Sequence, residues 1–175
     1  MYKNKTNESG FSLLELLLVV AVGAVLLLSG LAVYRNVTNN AKINDGTRLL
    51  NVLKQETQRL FQGEGRYESG DFTSILINSD VVPSSNTRGD TIRHPFNGTV
   101  TAGGSADGST FDITYNEVPK SACVKLGQLY SLNDPDFDSL QVGSADTDSN
   151  DDGIIGLIEL ESACDDTNEM TWTFF

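Results

Sequence analysis

The segment Asp148–Glu159 reads DSNDDGIIGLIE and carries oxygen-bearing residues at the spacing that a calcium ion requires. Asp148, Asn150 and Asp152 alternate, so their side-chain oxygens converge on one point. Gly153 permits a sharp turn. Ile154 offers its backbone carbonyl, and Glu159 closes the shell with two carboxylate oxygens. Ile155 is apolar, which suits a position that packs inward, and Gly156 leaves its place in the shell to water. Every fixed position of D-x-[DN]-x-[DN]-G-x5-E is met. The competing reading is a solvated acidic loop. Only one such loop matches and SADT before it is no helix, so a paired EF-hand is not expected. The spacing predicts a lone calcium loop with a dissociation constant of about 0.1–1 mM. Asp134, Asp136 and Asp138 also alternate, but they lack the glycine and the closing glutamate, and make a weaker second candidate.

Other reactive side chains are few. Cys123 and Cys164 enclose 40 residues. An even count in a chain with an export-type N-terminus suggests one disulfide formed outside the cytoplasm, with two free thiols as the alternative. Closing such a loop stabilises by about 4 kcal/mol in the chain-entropy account. His94 is the sole histidine, precedes Pro95 and has no partner motif, so it reads as a loop residue. No phosphate loop, metal-hydrolase motif or nucleophile signature is present, and an enzyme is not expected. The net charge of -12 argues against nucleic acid as a partner and against attraction to an anionic membrane surface. Arg88-Gly89-Asp90 and Asn97-Gly98-Thr99 match short, common tripeptides and carry little weight.

These groups must be held by a chain that begins unusually. Residues 1–10 are polar, and Leu16–Val33 is an apolar run of 18 residues, about 27 Å of helix. That nearly matches a bilayer core of about 30 Å. A secretory signal would place a small-residue cleavage site after the apolar run. Here the suitable small residue, Gly10, precedes it, and Glu15 lies at its edge, where a carboxylate is costly in lipid.

Gly10-Phe11-Ser12-Leu13-Leu14-Glu15 followed by the apolar run resembles the processing site of type IV prepilins and type II secretion pseudopilins. The resemblance implies cleavage after Gly10 by a prepilin peptidase, N-methylation of the new terminus at Phe11, and a register role for Glu15. The Glu15 carboxylate would face the Phe11 amine of a neighbouring subunit in a filament core. Many relatives carry a proline in the helix where this chain has Ala32; Gly23 and Gly30 are present instead.

Beyond Tyr34 the pattern turns amphipathic, with Ile43, Leu50, Leu53, Thr57 and Leu60 at helical spacing, until Gly63 and Gly65 end it. DFTSILINSDVVP reads as a short helix or turn with Phe72, Ile75 and Leu76 on its apolar face, and SSNTRGD as a loop. Val100, then Phe111, Ile113 and Tyr115, alternate with polar residues as a strand, turn and strand. KSACVKLGQLYS reads as a short helix, LIELESAC as an outgoing helix. NEMTWTFF reads as a final strand with Met170, Trp172 and Phe174 on one face.

HPFNGTV and FDITYNEVPKSAC are also similar to the heads of type IVb and conjugative pilins. The expected class is therefore α+β with the type IV pilin fold: one long N-terminal helix, its second half packed on a small antiparallel sheet. The expected divisions are a leader at 1–10, a membrane or filament-core segment at 11–34, an amphipathic segment at 35–63 and a head at 64–175. A disulfide-bounded region at 123–164 would enclose the calcium loop. The family implies a precursor in the inner membrane, assembly machinery there, and a surface homopolymer of identical subunits serving adhesion, aggregation, motility, DNA uptake or conjugative contact. A pseudopilin and a membrane-anchored calcium-dependent binding protein are the alternatives.

Overall fold

The computed structural model describes residues 12–148 and 154–175. Helix α1 (Leu13–Phe61) is unbroken, as its Leu and Ala content favours. The chain divides into two compact units between Asn40 and Ala41.

In the first unit every Leu and Val from Leu13 to Val37 is at least 51% exposed. Two hydroxyls within it fold back on the helix: Ser29 donates to the Val25 carbonyl (2.6 Å) and Thr38 to the Tyr34 carbonyl (2.9 Å). A Cβ at Gly23 or Gly30 would meet nothing within 4 Å, so no packing inside this chain requires either glycine.

In the second unit α1 turns a stripe inward. Ile43, Leu50, Leu53 and Thr57 are buried, with Leu49 and Phe61 extending the expected face. The stripe covers a sheet formed by β1 (Gly70–Asp71), β2 (Thr87–Arg88), β3 (Thr91–Arg93), β4 (Thr99–Gly104), β5 (Phe111–Pro119), β6 (Phe137–Val142), β7 (Ala145–Asp146) and β8 (Thr167–Phe174). The order is β2-β3-β4-β5-β8-β6-β7, with β1 on β4. All paired strands are antiparallel. Helices α2 (Thr73–Asn78), α3 (Lys120–Gly127) and α4 (Leu157–Ala163) complete the unit.

Period-two alternation decides which face is buried. Phe111, Ile113 and Tyr115 lie opposite Phe174, Trp172 and Met170, and all six are fully buried. The Tyr115 hydroxyl donates to the Gly46 carbonyl (3.0 Å) and Tyr130 to Asn51 Oδ1 (2.7 Å). Lys54 Nζ lies 5.0 Å from the Phe174 ring centre. These contacts fix the second part of α1 on the sheet.

Three local expectations require correction. SSNTRGD holds β2 and the turn of the β2–β3 hairpin, where Gly89 takes φ +59°, a value glycine adopts without strain. Phe72, which precedes α2, and Leu76 within it are buried one turn apart, but Ile75 is 41% exposed, because so short a helix buries a single stripe. The Asp134, Asp136 and Asp138 carboxylates do not converge: Asp134 accepts from the Ser131 N–H (3.0 Å), Asp136 lies 3.7 Å from Lys54 Nζ, and Asp138 accepts from the Ser139 hydroxyl (3.1 Å). Phe137 and Leu140 beside them are instead core residues of β6.

His94 lies in the loop that follows β3, as its sequence context predicts, but it belongs to the core. It is only 2% exposed and stacks on Tyr115 with ring centres 5.0 Å apart. Its Nδ1 accepts from the Phe96 N–H (3.2 Å), which assigns the proton to Nε2, 2.6 Å from the Asn116 carbonyl. A Cβ at Gly98 would collide with both that carbonyl and the ring, so glycine is required there.

Candidate functional site

Two parts of the chain carry the functional expectations: the start of α1 and the disulfide-bounded region. Glu15 lies in the first turn of α1 and is exposed among apolar neighbours. Gly10 and Phe11 lie outside the described residues. Among the described residues α1 is the one helix long and apolar enough to cross a membrane.

Cys123 on α3 is bonded to Cys164, the residue that caps α4, so the expected pairing forms. Both cysteines are buried. Close packing of α3 on α4 depends on Gly127, where a Cβ would run into the Leu160 side chain. The return to β8 is fixed by Asn168, which is buried. Its Nδ2 donates to the Val118 carbonyl (2.9 Å), and its Oδ1 accepts from the Asp165 N–H (2.7 Å). Beside it β5 carries a bulge between Tyr115 and Val118, with Glu117 at φ +61°.

The acidic loop is anchored at both ends. At its entry Thr147 is 2% exposed and its hydroxyl donates to the Leu140 carbonyl on β6 (2.7 Å). Asp148 follows directly. At its exit Ile155 is buried at 8% exposure, as its inward-packing position requires, while Ile154 is 58% exposed. Glu159 stands in the first turn of α4, and its Oε2 accepts from the Gly156 N–H (3.1 Å). A carboxylate there also suits the helix N-terminus. Asn150 and Asp152 lie outside the described residues. Among the described residues no three His, Cys, Asp or Glu side chains cluster as a metal site.

Sequence reasoning overlooked Thr147 and Asn168. Single buried polar residues have no periodic signature, and their partners are 7 and 50 residues distant.

Known proteins resemble the chain over most of its length. The family model described as PilS N terminal matches residues 40–175, and the prokaryotic N-terminal methylation motif matches residues 5–31, which include Gly10, Phe11 and Glu15. The chain is 27% identical over 130 residues to the major structural subunit of bundle-forming pilus of Escherichia coli O127:H6, covering 72% of this chain and 67% of that protein. In fold it is similar to a type IV b pilin from Salmonella typhi (TM-score 0.54, 20% identity, 76% of this chain and 97% of the other). It is also similar to TcpA, a type IV pilin from Vibrio cholerae El Tor (TM-score 0.50, 16% identity, 77% and 98%).

Proposed function

Since the chain belongs to the PilS family and is a type IV pilin of the IVb type, we propose that it is the structural subunit of a surface pilus, cut after Gly10 and polymerised through α1. The observation that carries this reading is the first unit of α1, an apolar helix with every large side chain open. In the precursor, lipid covers that surface in the inner membrane; in the filament, identical helices cover it. Exchange between two apolar environments costs little hydrophobic energy, which allows one segment to serve both states.

Cleavage by a prepilin peptidase creates an amine at Phe11, which is then N-methylated. Glu15 pairs with that amine on a neighbouring subunit. A lone carboxylate in an apolar core is heavily disfavoured and a paired one is tolerated, so the pair selects axial register more than it adds stability. Glu15→Leu therefore leaves membrane insertion intact and abolishes most filament yield. Normal yield of sheared filaments from this variant contradicts the role given to Glu15.

The pilus acts by holding surfaces, in adhesion, aggregation, motility, DNA uptake or conjugative contact, and no catalytic step is assigned to the subunit. Calcium in the 148–159 loop is the second part of the proposal. Asp148 at the loop entry, the Ile154 carbonyl and Glu159 at the exit would join Asn150 and Asp152 around the ion. The fixed ends at Thr147 and Ile155 support it, because they limit the ordering needed on binding.

A further inference from the structure

Charge is distributed unevenly along this chain. All twelve Lys and Arg residues lie at or before Lys125, together with twelve of the 24 acids. The remaining twelve acids lie after Lys125, where no Lys, Arg or His occurs. The whole net charge of -12 thus resides in the segment that builds β6, β7, α4 and β8. Two copies cannot bring these segments together without strong repulsion, and a contact between copies is favoured where this segment meets a cationic face.

The same segment exposes an apolar knob. Ile154 is 58% exposed, Leu157 54% and Ile158 84%, the last more than any other large apolar residue described. Glu161 stands beside them and is exposed. Elsewhere in the second unit lies an open groove of about 590 Å³ at the end of α1. Phe61, Tyr67 and Phe175 supply its apolar lining, and the charged side chains among its lining residues are those of Arg59 and Arg66. Arg59 contacts Glu56 at 2.6 Å yet remains 68% exposed. No knob residue lines the groove. A contact between them is therefore heterologous, the kind that can propagate from copy to copy in a filament.

We infer that the Ile154–Leu157–Ile158 knob of one subunit seats in the Phe61–Tyr67–Phe175 groove of a second copy, with Arg59 and Arg66 facing the acidic surround. The inference rests on the reading that the chain polymerises with itself. It is tested by placing photoreactive benzoylphenylalanine at position 158 of the full chain and irradiating intact filaments. The expected product is a dimer whose peptide map joins position 158 to residues 59–67 of a second copy. Arg66→Glu lowers its yield roughly fivefold, and Glu161→Arg restores part of it. If the residue at position 158 blocks assembly, the probe at Gln62 is expected to map to residues 154–158. Filaments that form without either crosslink, or crosslinks to lipid, another protein or another part of the chain, overturn the inference alone. Failure of the unmodified chain to form filaments removes the polymerisation reading and the inference with it.

Discussion

His94 shows how a single side chain couples the head to pH. Burial holds its pKa below the ordinary value of 6.5, outweighing the Asn116 carbonyl and Glu117, which pull it upward; Arg93 acts in the same direction as burial. Both ring nitrogens are committed in the neutral form, one as donor and one as acceptor. A second proton would set Nδ1–H against the Phe96 N–H. The folded state therefore binds fewer protons than the unfolded chain, and stability falls as pH drops from 6.5 toward the lowered folded value. The melting temperature in detergent is expected to be lower at pH 5.5 than at pH 7.5. His94→Gln, which keeps a donor for Asn116, flattens that difference. An unchanged slope in the variant assigns the pH dependence elsewhere.

At the scale of elements, the long helix, the β4–β5 and β8 strands and both helices bearing the cysteines were legible, because each has a sustained period or a boundary residue. Phe111, Ile113 and Tyr115 announce their strand by alternation alone. The insertion of β8 between β5 and β6 was not legible, since strand order follows from packing among segments far apart in sequence. Strand β6 was hidden because its alternation is interrupted and aspartates surround it. The loop position of His94 was legible and its burial was not, because neither Asn116 nor Tyr115 is near it in sequence. Thr57 on α1 was counted on the apolar face, and its hydroxyl is indeed fully buried, with no hydrogen-bond partner among the described residues. Thr57→Val is expected to stabilise the head by about 1 kcal/mol, read as a higher denaturant midpoint at unchanged slope. A lower midpoint contradicts the packing of that face. The acidic loop yields a second expectation. Calcium at ten times its dissociation constant should stabilise the head by about 1.4 kcal/mol and raise the melting temperature by about 4 °C. Asp148→Ala removes that gain. No calorimetric binding at millimolar calcium excludes the ion.

For the whole molecule, the two units divide the work. One keeps an exposed apolar surface, which the proposed function covers with lipid and neighbouring subunits in turn; the other buries its own core and carries the disulfide-bounded region. Under the proposed function, the motif at Gly10–Glu15 would connect them through a single event, the cleavage that creates the amine for Glu15. Central to this account is a processed subunit within a surface polymer. Mass spectrometry of filaments sheared from cells tests it most directly. The account predicts a chain that begins with N-methylated Phe11 and retains the Cys123–Cys164 bond. Recovery of the chain only in the membrane fraction, with residues 1–10 still attached and no filament present, would contradict it.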